Sequence, residues 1–431
     1  MADLLGRILP VLQSHQLPGL ALDSQTIFPD YERYNLSLLP GSISRWLGAA
    51  EFGCGSLDPE LSSLLDKEFQ HVILLLVDGL GLNAFQQYAL DRSAEQWSTG
   101  VWRALWRDAI AAALTSTVPS TTCTALTSLW TGRSPLEHGV LGYELWLKEY
   151  SLVANMIRLV PNMLDYENGS LLRAGFDPES FLPVPVLGTH LRQAGILPRA
   201  FLHTSIAGSG LSRMNHKGAE PIAYQTTEDL FNQLYQALEL KSGAKSYSFA
   251  YWSVMDSNSH RYGPGDDRVW LDFAHFSRMF ERFFKRIQTL RKGKTLLLVT
   301  GDHGQVFTPF HEEYNLRNHR DVLDHLTIYP SGENRLAYLF ARPRHEENLR
   351  YLIERRWPDQ FLVVRSTEAL QAGLMGGGQV YPRALDRVGD WMLIPRRDAY
   401  WWWADKENTL LGRHGGLSAD EMLVPLLAVE I

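Results

Sequence analysis

His71-Val72-Ile73-Leu74-Leu75-Leu76-Val77 is an unbroken apolar run that stops at Asp78-Gly79. A short continuous run closed by glycine reads as a strand buried on both faces, the pattern of a parallel sheet. Two further runs end in the same way. Tyr247 to Met255 is aromatic and apolar and stops at Asp256, and Thr295 to Thr300 is rich in Leu and Val and stops at Gly301-Asp302-His303-Gly304. Amphipathic, helix-like stretches lie between, over Thr227 to Leu240 and Trp270 to Leu290. Strands alternating with helices predict an α/β fold with a doubly wound, mostly parallel sheet. Ligands bind such sheets beyond the carboxyl ends of the strands, so three aspartates at three strand ends are expected to converge.

Working outward, the core is expected in three pieces, 1–140, 246–305 and 385–431. Residues 141–245, broken by Pro161, Pro183 and Pro185, read as a partly inserted cap. Residues 306–384 read as an inserted small β/α subdomain, with a strand-like Arg335 to Ala341, a helix-like Glu346 to Arg356 and a strand-like Gln360 to Arg365. Gly376-Gly377-Gly378 reads as a mobile loop. With 45% hydrophobic and 21% charged residues, the 431-residue chain can bury a sizeable core and is not disordered. A net charge of −7 argues against a nucleic-acid polymer as partner, since phosphates are neutralised by Lys and Arg. An anionic small molecule would need a local positive charge, such as a metal. Two cysteines, Cys54 and Cys123, make no disulfide framework and fit a reducing compartment. No run approaches about 18 apolar residues and the N-terminus is a poor secretory signal, so a cytoplasmic protein without a membrane span is expected.

Four motifs carry chemistry. Asp256-Ser257-Asn258-Ser259-His260 spaces a carboxylate and an imidazole four apart, which share one helix face if the chain turns helically after the strand. That donor pair suits Zn²⁺, Mn²⁺ or Fe. In Gly301-Asp302-His303-Gly304 the flanking glycines permit a turn sharp enough for both polar side chains to ligate. In Gly412-Arg413-His414-Gly415-Gly416, His414 sits in a glycine-rich loop ahead of Ser418-Ala419-Asp420-Glu421, which has capping-box spacing. Val118-Pro119-Ser120-Thr121-Thr122-Cys123 crowds hydroxyls at the start of a helix expected to end at Gly132. Free N–H groups there favour an alkoxide or a phosphate, although a hydroxyl attacks only when a metal or base activates it.

Asp78-Gly79, the Thr-rich helix start, Asp256 with His260, Asp302-His303 and His414 together resemble, in order and rough spacing, the alkaline phosphatase superfamily. The run Asp256 to Pro264 is especially similar to its type I phosphodiesterase/nucleotide pyrophosphatase branch. The resemblance implies a two-metal hydrolase of phosphodiester or pyrophosphate bonds acting on a small phosphate ester. Asp256, His260 and His414 would hold one divalent ion. Asp78, Asp302 and His303 would hold the other, with the nucleophile oxygen also bound there. Zn²⁺ is the favoured metal, with Mn²⁺ or Fe as alternatives. In the superfamily the nucleophile stands ten residues ahead of the glycine of a Thr-Gly pair. That glycine is Gly132 here, which indicates Thr122, with Thr121 as runner-up; Thr117 lies too far from Gly132. Two divalent ions bring four positive charges against three from the aspartates, and the surplus favours ionised Thr122 and an incoming phosphoryl group. Thr122 would attack phosphorus in line, and water would then hydrolyse the phosphothreonine.

Sulfatases share such a site but need Cys-x-Pro-x-Arg, and Cys123 is followed by Ala125 and Thr127. Where the diesterase branch places an asparagine after His-Gly, His138-Gly139-Val140-Leu141-Gly142-Tyr143 places Tyr143, whose hydroxyl can donate the same bond. Of Tyr400-Trp401-Trp402-Trp403, Trp402 is a candidate for stacking a nucleobase, while packing is the plainer reading of the strip. Phosphomonoester or phosphonate cleavage is the alternative within the superfamily. Gly79-x-Gly81-x-x-Ala84 superficially matches a dinucleotide fingerprint, but Asp78 would oppose the pyrophosphate, and Asp91 to Thr99 does not read as the required second strand. A non-catalytic binding protein is the remaining rival.

Overall fold

The computed structural model describes residues 3–91, 100–162, 167–239, 243–290 and 294–431. The main sheet has seven strands: β1 (His71–Val77), β2 (Ile110–Thr115), β3 (Leu197–His203), β4 (Glu220–Tyr224), β5 (Ser246–Trp252), β6 (Thr295–Thr300) and β7 (Leu423–Glu430). Their order is β2-β7-β6-β1-β5-β3-β4. β7 runs antiparallel to both neighbours, and the other pairs are parallel. Every residue of β1, β2, β5 and β6 is buried, as expected of strands covered by helices on both faces. The doubly wound α/β architecture predicted from the apolar runs is the one found.

β5, β1 and β6 are adjacent, and their register aligns the ends: Val77 lies opposite Trp252, and Leu76 opposite Thr300. The segments carrying Asp78, Asp256 and Asp302 therefore leave the sheet side by side. Asp256 is not at the strand end itself. β5 stops at Trp252, and a helix over Val254–Tyr262 follows, which sets Asp256 and His260 one turn apart. The helix read over Thr227 to Leu240 spans Thr227–Glu239, with Leu240 outside the described residues; the second spans Asp267–Leu290.

Segment 141–245 does not behave as a cap throughout, because β3 and β4 inside it extend the main sheet. Pro198, Arg199 and Pro221 disguise these strands; Pro221 is tolerated because β4 is an edge strand with mostly exposed side chains, and Pro198 sits at the start of β3, one residue before its pairing with β4 begins. A second, antiparallel sheet combines strands from both expected insertions with Trp391–Pro395, which lies in the piece 385–431 expected to belong to the core. Its order is Phe361–Arg365, Trp391–Pro395, Leu336–Leu339, Ser331–Glu333, Glu144–Leu147, Leu152–Asn155 and Val160–Pro161. The helix expected over Glu346 to Arg356 is present. The loop at Gly376-Gly377-Gly378, read as mobile, is anchored: Ser134 Oγ donates to the Gly377 carbonyl at 2.9 Å, and Leu136 N–H to that of Met375 at 3.0 Å. Of the segment Asp91 to Thr99, residues 92–99 lie outside the described residues. No helix among those described is long and apolar enough to cross a membrane.

Candidate metal centre

Thr122 opens α1 (Thr122–Thr131), which ends at Gly132 in the left-handed conformation (φ 62°). A two-residue ribbon pairs Val306–Phe307 with Gly412–Arg413 and draws the His414 loop against the loop after β6. Ser120 Oγ donates to the Gly416 carbonyl at 2.8 Å and accepts from Gly415 N–H at 3.2 Å, which ties the same loop to the start of α1. Gly79 (φ 76°) is required by proximity: a Cβ there would sit 3.1 Å from Asp256 Cα.

These ties bring Asp78, Asp256, Asp302, His260, His303 and His414 into one cluster. All three imidazoles direct Nδ1 at a backbone carbonyl: His260 at Gly412 (2.8 Å), His303 at Gly304 (3.1 Å) and His414 at Ser120 (3.1 Å). With Nδ1–H donating there, each presents an Nε2 lone pair, the tautomer of a histidine held for metal binding. His303 Nε2 lies 3.5 Å from both Asp78 Oδ1 and Asp302 Oδ2. Asp256 Oδ1 lies 3.4 Å from His260 Nε2 and 3.8 Å from His414 Nε2. Donors about 2.0–2.2 Å from a tetrahedral ion stand roughly 3.3–3.6 Å from one another. The donor atoms of Asp78, Asp302 and His303, and those of Asp256, His303 and His414, close to within 4.8 Å of one another. His303 is thus common to both groups, whereas the sequence reading put it in one, and His260 borders the second group through Asp256.

The surrounding bonds leave a gap for positive charge. Asp78 Oδ2 accepts from the Tyr251 hydroxyl, and Asp302 Oδ1 accepts from the N–H groups of Gly79 (3.1 Å) and His303 (3.0 Å). The remaining oxygens, Asp78 Oδ1 and Asp302 Oδ2, are buried without a hydrogen-bond partner. Burial, reinforced by Asp256 and Asp302, pushes the Asp78 carboxyl well above the usual range, and burial also raises Asp302. Burial, with His303 and His260 beside it, holds His414 well below the usual imidazole value. Crowded acids that resist ionising, beside an imidazole at His414 that resists protonation, form a donor set that divalent cations fit.

Thr122 Oγ1 lies 3.1 Å from His303 Nε2. Neither rival hydroxyl shares this contact: Thr121 turns towards Glu333, and Thr117 donates to the Pro119 carbonyl at 3.2 Å. A cavity of about 750 Å³ opens beside the cluster, walled partly by Thr122, Asp256, His260 and His414. Tyr143 and Trp402 both line it. The Tyr143 hydroxyl, pushed to about 12 chiefly by burial, accepts from Asn155 Nδ2. Tyr400 and Trp401 are fully buried, so most of the aromatic strip is packing. Cys123 is a buried residue of the first turn of α1. The turn at Gly79 to Gly81 packs on Asp256, Gly304 and Asp420 rather than opening to a dinucleotide.

Several residues at the site went unread in the sequence. Tyr251 sits inside an apolar strand, where nothing distinguishes its ring from packing. Gln305, two residues past His303, donates from Nε2 to Asp256 Oδ1 and, at 3.2 Å, to its carbonyl. Its position in the Asp302-His303 motif was the available signal.

No curated protein sequence matches the chain. Among solved structures, murine ectonucleotide pyrophosphatase/phosphodiesterase 5 is similar at 14% identity and TM-score 0.59, over 83% of this chain and 87% of that one. Phosphonoacetate hydrolase from Sinorhizobium meliloti 1021, in complex with phosphonoacetate, is similar at 17% identity and TM-score 0.58, over 83% of this chain and 89% of that one. At such identities the likeness speaks for a shared alkaline phosphatase-like fold. The profile of the type I phosphodiesterase/nucleotide pyrophosphatase family matches residues 72–417, nearly the whole span from β1 to the His414 loop, and the chain belongs to that family.

Proposed function

We propose that the protein hydrolyses phosphodiester or pyrophosphate bonds through a phosphothreonine formed on Thr122. The observation that carries this reading is the 3.1 Å contact between Thr122 Oγ1 and His303 Nε2, inside a cluster holding two unpartnered carboxylate oxygens. Asp256, His260 and His414 would hold one divalent ion and Asp78, Asp302 and His303 the other; the mixed N and O donors suit Zn²⁺, Mn²⁺ or Fe, with Zn²⁺ the metal proposed. When bound, such a pair supplies Lewis acidity and positive charge to the attacking and leaving oxygens.

The chain's own groups set the geometry. Thr122 Oγ forms a bond to phosphorus, losing its proton, while the bond to the leaving oxygen breaks and that oxygen is protonated. Water then adds to phosphorus, the Thr122 oxygen departs, and a phosphomonoester is released with Thr122 restored. The N–H groups at the start of α1 face the phosphoryl oxygens, and the cavity holds the rest of the substrate. Phosphomonoester or phosphonate cleavage is the second reading, favoured by Tyr143 standing where the diesterase branch carries asparagine. The test is hydrolysis of bis-p-nitrophenyl phosphate with added Zn²⁺ or Mn²⁺ by wild type and Thr122→Ala. Turnover by wild type alone is expected, and equal turnover by both would sink the nucleophile. The ratio of kcat/KM on mono- and diester substrates ranks the two readings.

A further inference from the structure

We infer that the cavity beside the metal centre selects phosphodiesters whose alcohol portion carries a protonated amine; this rests on the hydrolase reading above and specifies its substrate class. Glu144 and Glu333 both line the cavity and are only 9% and 8% exposed. They stand on neighbouring strands of the second sheet, where Glu144 is in register with Gly332. Each has a neutral donor: Trp403 Nε1 reaches Glu144 Oε2 at 3.0 Å, and Tyr143 N–H reaches Glu333 Oε1 at 2.7 Å. Neither has an ion-pair partner among the described residues, whereas the fully buried Glu421 is held by both arms of Arg335.

At the rim, Asp405 pairs with Arg317 and Arg158 Nε donates to Asn168, while Lys406, 5.9 Å from the Trp402 ring centre, makes no ion pair among the described residues but eases the ionisation of Glu144 from a distance. Burial pushes Glu144 up to about 7 and Glu333 to about 8, so a positive charge placed beside them favours their ionised forms. Two adjacent buried carboxyls without an ion-pair partner form an expensive arrangement, and a cationic ligand offsets that cost. Tyr143 and Trp403 add aromatic surface of the kind that attracts such a group. The nucleobase reading of Trp402 is weaker, because its ring is flanked by Lys406 and by Arg413 (5.8 Å) and its indole N–H donates to the Lys406 carbonyl at 3.0 Å.

The test uses p-nitrophenyl phosphodiesters whose second ester is 2-aminoethyl, propyl or thymidine-5′-yl, with the metal-loaded enzyme. The 2-aminoethyl ester is expected to show at least a tenfold higher kcat/KM than the propyl ester, chiefly through KM. In Glu144→Gln and Glu333→Gln that ratio falls towards one. If the propyl or nucleoside ester is turned over as well as the amine by wild type, the inference is overturned, whether or not the glutamine variants fold. If no ester is hydrolysed, the hydrolase reading fails by itself. Calorimetry with 2-aminoethyl phosphate against propyl phosphate then decides the amine preference, and equal affinities overturn it.

Discussion

Tyr251 shows how a single hydroxyl tunes the cluster. Its phenol, pushed well above the usual range by burial and then by Asp78, stays protonated and donates to Asp78 Oδ2, which leaves Oδ1 turned inward. Tyr251→Phe keeps the ring and removes the bond, so affinity for Zn²⁺ should fall about 10- to 100-fold, the usual cost of losing a group that orients a ligand. Competition with a chromophoric chelator measures it, and unchanged affinity would show that Tyr251 only packs. Asp256→Asn and His303→Ala remove donors directly. Each should abolish most turnover and lower metal stoichiometry while circular dichroism stays that of wild type. At this scale the donors were legible because each sits in a short motif with glycines or helical spacing around it. Tyr251 and Glu333 were not, because an aromatic residue in a buried strand and a glutamate in an inserted hairpin carry no local mark of their neighbours.

Among elements, the Arg335–Glu421 pair fastens the second sheet to the segment after the His414 loop. Both side chains are fully buried, with bonds of 2.7 and 2.8 Å, and Glu421 also accepts from Gly416 N–H at 2.8 Å and Ser418 Oγ at 2.7 Å. Burial alone would raise Glu421, but Arg335 overrides it and holds the carboxyl below its ordinary value. Arg335→Leu strands that charge and should cost about 3–5 kcal/mol, while Arg335→Leu with Glu421→Leu should recover much of the loss. Urea midpoints of the three proteins check both statements. The parallel core could be read because β1, β5 and β6 are uninterrupted apolar runs. The second sheet could not, because it pairs Gly332 with Glu144 across a long stretch of sequence and local pattern does not encode such partners.

For the whole molecule, two buried histidines outside the site set the acid limit. Burial, aided by Arg387, lowers His138 to about 3, and burial alone does the same to His216, whose ring nitrogens have no hydrogen-bond partner. Folded pKa values lie below the unfolded 6.5, so between about pH 6.5 and 3 the unfolded chain binds protons that the folded chain refuses. Stability therefore falls as pH falls through that window, by at most about 1.4 kcal/mol per unit for each residue. His216 packs on Trp130 at 4.6 Å between ring centres, and His216→Leu should flatten the decline in Tm between pH 6.5 and 4.5. The sheet order carries a last consequence. Within the sheet β7 separates β2, which leads to Thr122, from β6, which leads to His303, and the two exits meet beyond it where Ser116 Oγ donates to the Asp302 carbonyl. A chain ending before residue 423 can hold every proposed ligand and the attacking alcohol yet lacks the strand lying between β2 and β6, so turnover is expected to fail in that truncation, which assay against the full chain checks.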